Sequence, residues 1–195
     1  MAAMFLQCQA YEAAEKVCTL DAVLRTAKFL GKDGGPQKLS DVKLNVKEQF
    51  CHHVAKIIGM PLSLPRDTSF VSSSLPNEPA IEGYSSAFAS FEDQVDGDRP
   101  VVLLLQNKLR SGVSPSDVAK WYDAMGKCHL AVELAAANID FLCVLFASVA
   151  KSSIDLPPGC VLVDADACIS LLSPFGASVL MHKIMERRDK PRRQS

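Results

Sequence analysis

Residues 101–105 are Val101, Val102, Leu103, Leu104 and Leu105, and they run directly into Gln106, Asn107 and Lys108. A run this short and this uniformly apolar reads as a strand buried on both faces. Pro100 precedes it and Ser111-Gly112 follows, as strand boundaries should. Side chains alternate along a strand, so Gln106 and Lys108 point to the same side. Two polar groups at the end of a buried strand are costly to keep there without a partner. That cost marks the pair as a candidate site.

The rest of the chain has to supply the layers that bury such a strand. With 195 residues, 48% of them apolar and 22% charged, it is long enough for one well-buried core. The net charge of −1 gives no global basic field, so any nucleic-acid binding would need a local basic patch. The seven cysteines, an odd number with no C-x-x-C pair, read as reduced and mostly buried thiols of an intracellular protein. Cys51-His52-His53 lacks a second ligand pair at zinc spacing. The N-terminus has no basic segment of the signal-peptide kind. The most apolar region, residues 129–150, is interrupted by Glu133, Asn138 and Asp140 and leaves roughly half the length of a membrane span. No membrane association is expected.

Taken in order, Met4, Tyr11, Val17, Cys18, Leu24 and Ala27 recur at helical spacing up to Gly31, with Thr19 or Asp21 able to cap a second helix. Gly34-Gly35-Pro36 is a turn, and a helix is expected from Asn45, with Glu48 on its first turn. Capping is the plainest role for Glu48. Residues 61–79 carry four prolines and read as a surface loop. Residues 80–91 alternate as a strand with a bulge at Gly83, and residues 93–98 turn the chain into the 101–108 strand. Ser114-Pro115-Ser116-Asp117 starts a helix whose buried face is Val118, Trp121, Tyr122 and Met125. Gly126 ends that helix or bends it into another, and residues 140–149 form a further buried strand. Pro157-Pro158-Gly159 turns the chain into a short strand at 160–163. Asp164 or Asp166 then caps a helix to Leu172, and Ser173-Pro174 opens a last one. A hairpin followed by a helical crossover to another strand implies an α/β fold, a mixed central sheet flanked by helices.

A helix with Glu48, a strand with Glu82, a strand ending Gln106-Asn107-Lys108, then a helix and a strand resembles the core of the PD-(D/E)XK, or restriction-endonuclease-like, superfamily. The Leu-Leu-Leu-Gln-x-Lys strand and the Trp121-Tyr122 helix look more narrowly like the nuclease-like domains of Crinkler effectors and retrotransposon hot spot proteins. The resemblance covers roughly residues 45–150. It puts Glu82 at the first acidic position, Gln106 at the second, Lys108 at the lysine, and Glu48 at the glutamate of the first helix. The chain as a whole is expected to form one domain over residues 1–188, with a C-terminal helical extension at 151–188, and its basic tail at 189–195 reads as disordered. Two departures stand out: Glu82 replaces the usual Asp, and Gln106 is neutral.

Phosphodiester cleavage uses a divalent ion to neutralise the phosphate and acidify a water. The resemblance therefore implies Mg²⁺ or Mn²⁺ on Glu82 and Gln106, and a Lys108 that steadies the water or the developing charge. Lys120 and Lys127 would hold backbone phosphates without reading sequence. Asp93, Asp96 and Asp98 are alternative acids but sit in the turn. The expected activity is metal-dependent DNA cleavage with little sequence preference. The alternative is an inactive effector or interaction module of the same fold, binding a protein partner through its C-terminal helices. The basic tail adds an import signal for the nucleus as an expectation.

Overall fold

The computed structural model describes residues 2–44, 73–74, 84–93, 97–108, 114–147 and 155–172. The elements are α1 (Ala2–Ala13), α2 (Leu20–Val23), β1 (Lys28–Leu30), β2 (Val42–Lys43), β3 (Ser73–Ser74), β4 (Tyr84–Asp93), β5 (Gly97–Lys108), α3 (Pro115–Gly126), α4 (His129–Ala136), β6 (Asp140–Ala147), β7 (Cys160–Val163) and α5 (Ala165–Leu172). The sheet order is β1-β7-β6-β5-β4-β2, with β3 pairing the same edge of β4 as β2 at its other end. The β4–β5 hairpin is antiparallel, β5, β6 and β7 are parallel, and β1 is antiparallel to β7. The fold is therefore α/β with a mixed sheet.

The apolar runs follow from this layering. Parallel strands need crossover helices, which cover both sheet faces and leave no strand face for water. On one face Val101, Leu103 and Leu105 pack with Leu142, Val144, Val161 and Val163 beneath α1, α2 and α5. On the other, Val102 and Leu104 join Phe88 and Cys143 against Met125, Leu130 and Leu134 of α3 and α4. Residues 101–106 are all buried.

Helix ends carry their own signals. Ser114 and Asp117 form a reciprocal capping box at α3, with Pro115 at the first helical position. Asp164 caps α5 by accepting from the Ala167 amide at 2.8 Å. Asn138 closes α4 at φ 56°; its amide bonds to the Ala135 carbonyl and that of Ile139 to Leu134, the paired bonds of a Schellman ending. Glu15 does the same for α1 at φ 55°, with Glu15 bonded to Glu12 and Lys16 to Tyr11.

The N-terminal segment differs from its helical reading. The helix stops at Ala13, Thr19 caps only the short α2, and residues 28–30 form an edge strand instead of continuing a helix to Gly31. The reason is tertiary: β7 offers an unpaired edge, and Lys28, Phe29 and Leu30 pair with Leu162, Val161 and Cys160. Strand β5 also starts earlier than its apolar run. Pro100 lies within it, opposite Ser90, in an overhang paired only with β4, because pairing with β6 begins at Val101. The Gly159 turn has φ 77°, donates to the Leu30 carbonyl and accepts from the Cys143 amide, so it joins β1, β6 and β7. Tyr122 reaches the same turn from α3, donating its hydroxyl to the Pro158 carbonyl. The expected helix from Asn45, the bulge at Gly83, the Ser173-Pro174 helix and the tail lie outside the described residues.

Leu104→Ala should cost about 2–5 kcal/mol, since the side chain is fully buried on the central strand. Ser114→Ala should cost about 1 kcal/mol by loss of the cap. Urea unfolding of each variant against wild type reads both, and a Leu104→Ala loss under 1 kcal/mol would contradict the packing described.

Candidate functional site

Gln106 and Lys108 sit at the C-terminal end of β5, where the carboxyl ends of β5, β6 and β7 point the same way. Open α/β sheets take ligands outside these strand ends. The strand period sets both side chains on the α3 face, in line with Val102 and Leu104. Their register neighbours on β6 are Leu145 and Ala147. Those two belong to an apolar cluster with Val118, Leu156, Cys160 and Leu162, against which Trp121 and Tyr122 pack.

The carboxamide of Gln106 is the anomaly. The residue is only 3% exposed, and among the described residues its Oε1 has no hydrogen-bond partner. Burying such an oxygen unsatisfied costs about 1–3 kcal/mol. Lys108, one position beyond Asn107, is half-buried with its ammonium 5.7 Å from the centre of the Trp121 ring. The ring face supplies a cation with partial compensation for lost water. Trp121 was legible from sequence as a core residue of α3; that it lies beside Lys108 needs the crossover geometry.

The remaining sequence-derived residues fall elsewhere. Lys120 and Lys127 are exposed, and the buried positions of their helix, Val118 and Met125, face the sheet. Lys127 is ion-paired with Asp123 at 2.7 Å, four residues away. Asp98 occupies the opposite end of β5, about 30 Å of strand from Lys108, and bonds Lys43 at 3.0 Å together with Glu92 at 3.3 Å. Asp93 pairs with Gly97 at that same far end. Glu82, Glu48 and Asp96 lie outside the described residues, which on this side of the hairpin begin at Tyr84, the register partner of Gln106.

A neutral carboxamide oxygen is a hard donor of the kind Mg²⁺ and Mn²⁺ accept, so the Gln106 atom suits such an ion. One neutral oxygen brings no charge, and a carboxylate has to complete the set. Among the described residues, no group of three His, Cys, Asp or Glu side chains is placed to hold a metal. Among the same residues no helix is long and apolar enough to cross a membrane. Burial pushes the Tyr122 phenol up to about 12, with Cys143 and Cys160 adding to the effect. At neutral pH it therefore remains a donor to Pro158 and anchors α3 to the turn before β7.

No family model, no curated protein and no solved structure matches the chain.

Gln106→Met keeps the shape and removes the orphaned oxygen. It should raise stability by about 1–2 kcal/mol in urea unfolding. A loss of stability instead would mean that the carboxamide is already satisfied in the free protein.

Proposed function

We propose that this chain is a metal-dependent nuclease with a restriction-endonuclease-like core, cleaving DNA with little sequence preference. The observation that carries the reading is the buried Gln106 oxygen without a partner, one residue from Lys108 at the carboxyl end of the central strand. The element order supports it as well: an antiparallel hairpin, a helical crossover and a strand returning parallel to the second hairpin strand.

In this reading Glu82 and Gln106 hold Mg²⁺ or Mn²⁺, with Glu82 supplying the negative charge that Gln106 lacks. The ion supplies charge neutralisation at the phosphate and a more acidic water. Lys108 contributes a fixed positive charge toward the developing oxyanion, and Trp121 limits where its ammonium can go. Glu48 would take a secondary part at the site. Lys120 and Lys127 serve phosphates only at the periphery, and for Lys127 the ion pair with Asp123 has to open first.

A second reading also has an observation behind it. Lys108 already engages Trp121, so the pair would serve packing in an interaction module that keeps the fold without the chemistry. Such a module would bind a protein partner through the segment after Ala165.

The test is cleavage of plasmid and single-stranded DNA with Mg²⁺ or Mn²⁺. Wild type should cut, and Lys108→Ala and Glu82→Ala should each lose about 100-fold or more in rate. Circular dichroism should show both variants folded. Cutting that survives both substitutions, or a folded wild type that does not cut with either ion, would sink the nuclease reading.

A further inference from the structure

Away from the strand ends, two sulfur atoms meet in the N-terminal layer. Cys8 lies on α1 and Cys18 just before α2, and their Sγ atoms are 3.2 Å apart. Both are buried, at 2% and 0% exposure, within the core cluster that includes Met4, Leu20 and Leu24. The left-handed Glu15 residue makes the approach: the Schellman ending reverses the chain after Ala13 and returns Cys18 to the side of Cys8. A disulfide needs its sulfurs at about 2.05 Å, so they have roughly 1.2 Å to close.

We propose that Cys8 and Cys18 form an oxidation site, a dithiol that a small peroxide converts into an intrachain disulfide. The thiolate of Cys18 attacks one peroxide oxygen, the O–O bond breaks, and the departing hydroxide takes a proton to become water. Cys18 is then a sulfenic acid. The Cys8 sulfur attacks the Cys18 sulfur, the S–O bond breaks, and the second hydroxide leaves as water with the Cys8 proton. Two thiols have lost two electrons and two protons, and one peroxide has become two waters. Peroxide is the fitting oxidant because it is small and uncharged, whereas both sulfurs are buried.

The division of roles follows from the contact. Either sulfur can donate across this contact; with Cys8 as the donor, the bond holds the Cys18 thiol below its ordinary value, against burial and the Glu12 carboxylate. The same bond and burial push Cys8 up. Elsewhere burial pushes Cys160 and Cys168 up to about 12, which keeps those thiols protonated and inert. The product would also join two layers. The Cys18 carbonyl accepts from the Leu44 amide at 2.7 Å, next to the bridge between Thr19 and Lys43 of β2. Helix α1 in turn bonds α5 through Gln7 and the Leu171 carbonyl. Oxidation therefore ties α1 covalently to the segment before α2, which is itself hydrogen-bonded to the β2 margin of the sheet.

The experiment is a peptide map of the full chain treated with hydrogen peroxide, alkylated in denaturant and digested with trypsin without reduction. Cleavage after Lys16 separates Cys8, in residues 1–16, from Cys18, in residues 17–25. The expected result is one joined species two hydrogens lighter than the sum of the two peptides, parted by dithiothreitol. The oxidised protein should also melt several degrees above the reduced one, a rise absent in Cys18→Ser. Recovery of the two peptides unjoined after peroxide, whether alkylated or over-oxidised, would overturn the proposal. So would a link from Cys8 to any other cysteine. The peptide map of the wild type decides even where Cys18→Ser folds poorly.

Discussion

The structure depends on one strand that has a partner on each edge and an apolar layer on each face. Strand β5 pairs from Gly97 to Gln106 with β4 on one side and from Val101 onward with β6 on the other. Its odd-numbered core residues pack under α1, α2 and α5, and its even-numbered ones under α3 and α4. Strands β4 and β6 on either side of it likewise send residues into both layers, so the core is continuous across β5. The placement of α3 and α4 is then a consequence: a parallel β6 requires a crossover, and these two helices are that crossover.

The two ends of this strand are finished in opposite ways. At its start the charges are met. Asp140 accepts from Arg99 at 3.2 Å and Lys32 at 3.3 Å, and Lys43 bridges Glu92 and Asp98. These pairs are partly exposed and each contributes little, yet among the described residues they leave no buried polar side-chain atom stranded. At its finish a carboxamide oxygen is buried without a described partner, beside a lysine lodged over a tryptophan. A fold that satisfies one end and not the other concentrates local cost where a ligand would relieve it. The Cys8–Cys18 contact lies in a different layer, on the α1 side, so the site and the thiol pair can be tested separately.

Much of this was legible in the sequence because burial on both faces leaves an unmistakable pattern. The apolar runs at 101–105 and 142–145 gave their strands, and Ser114-Pro115 gave the start of α3. The shared orientation of Gln106 and Lys108 followed from strand period alone. What failed was local pattern overruled by a distant partner. Residues 28–30 are a strand only because β7 has an edge to fill, and β7 lies about 130 residues further on. The end of α1 was hidden for another reason: its left-handed residue is Glu15, where a glycine or asparagine would have announced the stop. The Asp123–Lys127 pair has helical i,i+4 spacing and was readable from the sequence, but the sequence could not show that Trp121 lies under Lys108.

The central claim is that the orphaned oxygen of Gln106 is kept as a ligand. The most direct measurement is the nuclear magnetic resonance signal of the Gln106 side-chain amide during titration with Mn²⁺, whose unpaired electrons broaden nearby resonances. The expected result is loss of that signal at low Mn²⁺, its return when excess Mg²⁺ competes, and no such loss in Glu82→Ala. An amide signal that keeps its width at millimolar Mn²⁺, in a folded protein, would show that the oxygen binds no metal and would contradict the claim.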